Sequence, residues 1–259
     1  MSPDLVVQIV NFRTQDHVAR LLPGLLAELE RGPASYEVHV LENASGDDLA
    51  AIRRDWAGRV HVHVSDRNRG FGGGHDELAA RTDSRAILCV NPDVTVDRPG
   101  VVAGLLRHLD DPAVAAAGPL LRTGDGTPQR WDHGELKGLR AHVANGAGHA
   151  HWRPRTAPTD VAWVAGAFLL VRRAAFAAVG GFDERFFLFK EEEDLCLQLR
   201  RGGGRVVYDP TVSVSHVGGV VADRDVHMPD SVAAYVAKNL RPRQRRLYDA
   251  LYTHVTRRI

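Results

Sequence analysis

Cysteine, lysine and long apolar runs are all scarce in this sequence, and each shortage closes off a class of protein. Two cysteines in 259 residues, Cys89 in an apolar stretch and Cys196 in a helical one, make neither a disulfide framework nor a thiolate metal cluster. A reducing, cytoplasmic setting is the expectation. No apolar run reaches the roughly 18 to 20 residues of a membrane span, and the N-terminus lacks a charged stretch followed by an apolar one. A soluble chain without a membrane span is expected. Lysine occurs only at Lys137, Lys190 and Lys238 among 33 basic residues, a bias that reflects G+C-rich coding more than chemistry. With 44% hydrophobic residues the chain can bury the core of one large α/β domain, or two small ones, without cross-links.

Net charge is +1, but it is unevenly spread. From Lys238 onward there are seven Lys/Arg and one Asp, which leaves 26 basic and 31 acidic residues ahead of them. An acidic body therefore carries a basic tail, and the body is not a nucleic-acid binder by composition. In the tail Arg241, Arg243, Arg245, Arg246, Arg257 and Arg258 share a helix-like pattern with Leu240, Leu247, Leu251 and Val255. Such a segment suits peripheral contact with an anionic membrane face or an acidic carrier protein. The alternative is a terminal helix packed on the domain with its arginines in water.

Apolar strand-like runs alternate with helix-like segments in the first half, the pattern of a mostly parallel sheet covered by helices. The periodicity predicts strands at 5–10, 37–41, 60–65, 86–90 and 114–121. Helices are predicted at 14–30, at 45–57 with Ser45 as cap, and at 99–109, with a glycine-rich loop at 68–74 followed by a short helix. Residues 122–160 have weak periodicity and many Gly, Pro and His, and read as an irregular segment over a binding surface. Further on, strands are predicted at 161–172, 206–208 and 212–215, helices at 174–179 and 191–201, and a helical tail from 231 interrupted at Pro242.

Chemistry enters with Asn91-Pro92-Asp93, directly after the apolar run 86–90. A carboxylate at the end of a buried strand lies where open α/β sheets hold their ligands, and it suits a metal ion carrying a diphosphate. An Asp there also serves as a turn former. The glycines at 70–74 lack the spacing of a dinucleotide fingerprint and follow the third strand, so they suit close backbone approach to a ligand or a simple flexible turn. Glu191-Glu192-Glu193-Asp194 opens a helix, where four acids favour the dipole and also offer a general base.

Eight segments, in order and spacing, resemble the family 2 glycosyltransferases, and more closely their rhamnosyltransferase-like bacterial members, over about residues 5–220. They are Ile9-Val10-Asn11-Phe12, Leu41-Glu42-Asn43-Ala44-Ser45, Asn68-Arg69-Gly70-Phe71-Gly72-Gly73-Gly74, Asn91-Pro92-Asp93, Trp163-Val164-Ala165-Gly166-Ala167, Gly181-Phe182-Asp183-Glu184-Arg185-Phe186-Phe187, Glu191-Glu192-Glu193-Asp194-Leu195-Cys196 and His216-Val217-Gly218-Gly219.

The resemblance implies a GT-A fold, a mostly parallel central sheet flanked by helices. It implies a nucleotide-sugar-binding, Rossmann-like half at 1–121, an acceptor-binding and catalytic half at 122–222, and the basic helical tail at 223–259. Asp93 and His216 would hold Mn²⁺ or Mg²⁺ against the donor diphosphate. Val10, Asn11, Glu42, Asn43, Asn68, Gly70, Gly73 and Asn91 would line the nucleotide, with Glu42 in place of the usual Asp that accepts the base N3–H of uracil or thymine. His75, where relatives have Asn, would contact phosphate. Trp163 and Gly166 would line the donor sugar and acceptor. The catalytic base falls on Glu192, where the family has Asp, with Glu191 and Asp194 as alternatives.

The implied activity is inverting transfer of one sugar from a UDP- or dTDP-sugar, UDP-N-acetylglucosamine or dTDP-rhamnose, to a hydroxyl or amine. The acceptor would be a small natural-product intermediate or a carrier-bound one. Two other readings remain: a sugar-nucleotide-binding protein without activity, suggested by Glu42 and Glu192, and a sugar nucleotidyltransferase. The second lacks the expected basic, glycine-rich loop after the first strand, where Asn11-Phe12-Arg13-Thr14 stands instead.

Overall fold

The computed structural model describes residues 2–32, 34–135, 152–218 and 224–256. Four strands, β1 (Leu5–Asn11), β2 (Tyr36–Glu42), β3 (Val60–Val64) and β4 (Ala86–Val90), pair in parallel in the order β3-β2-β1-β4. Their connections carry helices α1 (Gln15–Arg31), α2 (Ala50–Asp55) and α3 (Gly70–Arg81). Short β5 (Val94–Thr95) follows, then α4 (Val101–His108) and β6 (Val114–Arg122).

The second half completes the same sheet. β10 (Phe168–Arg172) inserts antiparallel between β4 and β6, β11 (Arg205–His216) runs parallel to β6, and β5 closes that edge antiparallel to β11. β8 (Thr159–Asp160) also pairs with β11, while β7 (His133–Gly134) and β9 (Trp163–Val164) form a separate antiparallel pair. Helices α5 (Arg173–Ala178) and α6 (Glu191–Arg201) belong to this half, and α7 (Arg224–Asn239) and α8 (Pro242–Thr256) end the described chain.

Strand alternation explains the three layers. In β4, Ala86, Leu88 and Val90 join Leu21, Leu22, Leu25 and Leu26 of α1 in one core, whereas Ile87 and Cys89 join Leu195, Cys196 and Leu199 of α6 in another. A strand buried on both faces reads as an unbroken apolar run, which is why β4 was legible.

Four sequence expectations need correction. Residues 68–74 are not a loop beyond Gly70, because α3 begins there, and Gly72 and Gly74 serve close packing. A Cβ at Gly72 would lie 2.7 Å from the Cβ of Phe182, and one at Gly74 would lie 2.8 Å from Cγ1 of Val10. Ser45 does not cap a helix at 45–57. Its N–H and hydroxyl go back to Glu42, and α2 starts at Ala50. The strand predicted at 161–172 is broken, since Ala162 and Ala165 donate to Gly134 and Asp132 before β10 begins. The strands at 206–208 and 212–215 are one strand with a bulge between Asp209 and Ser213, where Pro210 has no N–H for the ladder.

Candidate active site

The carboxyl ends of β1, β2 and β4 carry the residues singled out above, and backbone strain gathers beside them. Arg13 follows β1, Ala44 follows β2, and Phe189 and Lys190 lead into α6, all with positive φ.

Asp93 lies just past β4 and is only 8% exposed. Its Oδ2 accepts the Gly218 N–H at 2.8 Å, and its Oδ1 faces His216 Nε2 at 3.4 Å. Burial resists ionisation of this carboxyl, but the bond to His216, that ring's charge and the Gly218 N–H outweigh it and lower the pKa. His216 Nδ1 meets Gln129 Oε1 at 2.8 Å, a bond that requires the proton on Nδ1. Loss of the Nε2 proton would leave that nitrogen with a lone pair beside the carboxylate, two groups that could share a small cation. Among the described residues no three His, Cys, Asp or Glu side chains are grouped to hold a metal ion. Asp93 and His216 could supply two ligands, which diphosphate and water oxygens would complete.

The proposed nucleotide residues mostly hold one another. Asn43 is buried, donating from Nδ2 to Asn68 Oδ1 and to the Gly70 carbonyl, both at 3.0 Å, and accepting the Arg69 N–H. Asn11 is fully buried, with Nδ2 on Asp47 and Oδ1 accepting from Thr14. One oxygen of Glu42 is taken by Ser45 N–H at 2.6 Å and by the Ser45 hydroxyl. Gly70 has φ +70° and meets the Phe187 carbonyl so closely that a Cβ there would lie 2.0 Å from it, while Phe71 N–H donates to the same oxygen. Val10 packs under Gly74, and Gly73 lies against Arg69 in the first turns of α3.

His75 is a correction. It is fully buried, its Nδ1 lies 3.1 Å from Gln8, and burial drives its pKa down to about 3, so it is a neutral core residue out of reach of phosphate.

The acids at the start of α6 have separate fates. Asp194 is 2% exposed and accepts from Lys238 Nζ at 2.6 Å, Asn239 Nδ2 at 2.7 Å and Gln198 Nε2 at 3.2 Å. It anchors the end of α7. Glu193 pairs with Lys190 at 2.5 Å. Glu191 and Glu192 each have a buried Oε2 without a hydrogen-bond partner. Burial, then the Glu192 charge, pushes Glu191 well above the carboxylate range, whereas burial, then the Glu193 charge, raises Glu192 to about 7.

One tripeptide joins the two chemistries. Asn91 N–H donates to the Ala167 carbonyl at 2.9 Å, fixing the Asp93 turn to residues 165–167. The neighbouring Gly166 faces the other way, since a Cβ there would lie 2.9 Å from the Phe71 ring and 3.6 Å from the Glu192 Cβ. Trp163 is 7% exposed and packs over Gly134, where a Cβ would meet its indole nitrogen at 2.0 Å. Gln129, the Gly218 N–H and the Lys238–Asn239 pair were missed by sequence reasoning. Only Gly218 carried a signal, as part of His216-Val217-Gly218-Gly219.

A doubly covered mixed sheet with these groups beyond its strand ends is the GT-A fold. It superposes on the mannosyltransferase PcManGT of Pyrobaculum calidifontis, solved in complex with GDP-Man and Mn²⁺, with a TM-score of 0.63 at 14% identity, covering 98% of this chain and 70% of that one. The family model "Glycosyl transferase family 2" matches residues 7–180, and the chain belongs to that family. It is a glycosyltransferase of the rhamnosyltransferase-like kind. It is 30% identical over 239 residues to an N-acetylglucosaminyl-diphospho-decaprenol L-rhamnosyltransferase of Mycobacterium tuberculosis, covering 83% of this chain and 76% of the relative. The rhamnosyltransferase WbbL of Escherichia coli K12 is 45% identical over 58 residues, 22% of each chain. Among the described residues no helix is long and apolar enough to cross a membrane.

Proposed function

We propose that this chain transfers one sugar, with inversion, from a nucleotide-diphosphate sugar to a hydroxyl of a carrier-linked saccharide. dTDP-rhamnose is placed ahead of UDP-N-acetylglucosamine as donor because both relatives described above are named as rhamnosyltransferases. The observation that carries the proposal is Glu192, a carboxyl raised to about 7 with one buried, unpartnered oxygen, beside Gly166 and so one tripeptide from the Asp93 turn. A base poised near neutral pH deprotonates the acceptor hydroxyl while that oxygen attacks the anomeric carbon. A single carboxylate on the acceptor side suits inversion, since no second nucleophile is needed.

Asp93 and His216 would hold Mn²⁺ or Mg²⁺, whose charge would offset that of the departing diphosphate. Gln129 holds the His216 ring in the tautomer that leaves Nε2 free, and Gly218 steadies the Asp93 carboxylate. Buried, free Cys89 and Cys196 suit a cytoplasmic site of action, where nucleotide sugars are made. The test is a thermal-shift panel of dTDP-rhamnose, UDP-N-acetylglucosamine and GDP-mannose with and without Mn²⁺. Stabilisation by dTDP-rhamnose that needs Mn²⁺, with transfer to a saccharide acceptor, is expected. Stabilisation without any transfer would favour the inactive binding protein.

A further inference from the structure

Among the described residues β3 is an edge strand that pairs with β2 alone, and three histidines meet across that pairing. Register sets His39 of β2 opposite His61 of β3, with His63 two residues further along the same face. That face turns toward α3, since Leu41, two residues after His39, has its Cδ2 3.5 Å from a Cβ placed at Gly74. The His39 ring stacks on both others, its centroid 4.8 Å from that of His61 and 5.2 Å from that of His63. His39 is buried, with Nε2 3.0 Å from Glu37 Oε2 and Nδ1 2.9 Å from His63 Nε2. The Glu37 carboxylate requires the proton of His39 on Nε2. The lone pair of neutral His39 is then on Nδ1, where it accepts the His63 Nε2–H. One proton fills the gap between the two strands, and a further one on His39 Nδ1 would set N–H against N–H.

The surroundings do little to welcome that further charge. Burial is the chief cause that lowers the pKa of His39 and of His63; the Glu37 bond opposes it at His39, while at His63 the charges of His39, Arg81 and His61 add to it and Glu77 opposes it. Glu37 on β2 and Glu77 and Arg81 on α3 are the charged groups that face the cluster. The last two pair at 2.7 Å, and Arg69 occupies Glu77 as well. On β1 the register partner of His39 is uncharged Gln8. A base held low on folding lends stability that is complete above its ordinary pKa of about 6.5 and is lost as pH falls below it through the folded value. Past the cluster, β3 runs into Ser65, whose N–H donates to the Glu42 carbonyl at 2.8 Å, and then to Asn68, whose side chain bonds Asn43. We infer that His39, His61 and His63 form an acid-sensitive clasp, which holds β3 on the sheet at neutral pH and releases it, with the Asn68 end of the donor site, as pH falls. The link to the donor rests on the nucleotide site proposed above.

Hydrogen exchange of the full chain at pH 7.5 and 5.5, corrected for the intrinsic rate at each pH, reads the clasp directly. In the parent the backbone amides of 60–64 should lose protection at pH 5.5, while those of β1 keep theirs. His39→Gln, which takes up no proton, should protect β3 equally at both pH values. If that buried substitution prevents folding, His63→Gln, at a half-buried position, should narrow the loss. Calorimetric titration with UDP and Mn²⁺ reads the link to the donor: affinity should fall less between pH 7.5 and 5.5 in the variant than in the parent. A parent that releases β3 at pH 5.5 but binds no UDP at either pH would sink the donor site and leave the clasp standing. Equal falls in UDP affinity would overturn the link to the donor. Protection of β3 in the parent that is the same at both pH values, a loss shared equally by β1, or an undiminished loss in the variants would each overturn the clasp.

Discussion

Glu192 and Asp194 lie two residues apart in one turn of α6, and their surroundings treat them in opposite ways. Asp194 meets Lys238, Asn239 and Gln198, whereas Glu192 has a buried oxygen with no partner and a pKa raised to about 7. If Glu192 is the proposed base it must be unprotonated to act, so kcat/KM should rise with pH through about 7, and Glu192→Asp should keep that limb at reduced kcat. The linkage sign is that of an acid raised on folding. Its contribution to stability is complete below the ordinary carboxylate range and is lost as pH climbs through about 7. Melting curves from pH 5 to 8 should therefore show Glu192→Gln gaining on the parent as pH rises. Gln129 makes a second residue test. Gln129→Ala frees the His216 ring and should weaken Mn²⁺ binding in the presence of UDP by about tenfold or more, read by calorimetric titration. Four acids in a row mark the proposed base in the sequence. Which acid keeps a free oxygen was not legible there, because two of the three partners of Asp194 come from 44 and 45 residues away.

At the scale of elements, α3 separates two readings of the glycine cluster. A flexible loop would tolerate or gain from a Gly→Ala change through reduced freedom of the unfolded chain. A packed helix start would not, since a Cβ at Gly72 meets the Cβ of Phe182 at 2.7 Å. Gly72→Ala should lower stability by about 1–3 kcal/mol in urea melts. Gly124→Ala, where a Cβ meets nothing within 4 Å, should leave stability unchanged. Strands β4 and β6 were readable because burial on both faces writes an apolar run, β1 and β2 from apolar residues broken by Gln8 in one and by Glu37 and His39 in the other, and α6 matched its predicted bounds. The insertion of β10 between β4 and β6, and the β7–β9 pair, depend on contacts between distant segments that local periodicity does not encode.

On the whole molecule, charge and anchoring act together. Helix α7 is seated by Lys238 on Asp183 and Asp194, by Ser231 on the Leu188 carbonyl, and by buried Tyr235, Val236 and Leu240. This packing accounts for the start of the tail, and Arg243 and Arg246 of α8 remain exposed beyond it. Phosphatidylglycerol vesicles should retain the protein at low salt and release it at about 0.5 M salt, where charge attraction is screened within a few ångströms. Aspartate at Arg243, Arg245 and Arg246 should abolish retention without changing donor hydrolysis. Salt-insensitive behaviour unaltered by those substitutions would show a helix that packs and does nothing more.

The division of labour between Asp93 and Glu192 is most directly tested by a single-turnover assay of Glu192→Gln with Mn²⁺, dTDP-rhamnose and a saccharide acceptor, at matched donor occupancy. The expected result is donor affinity equal to the parent's and transfer slower by about 10²-fold or more. Transfer at the parent rate would contradict the account.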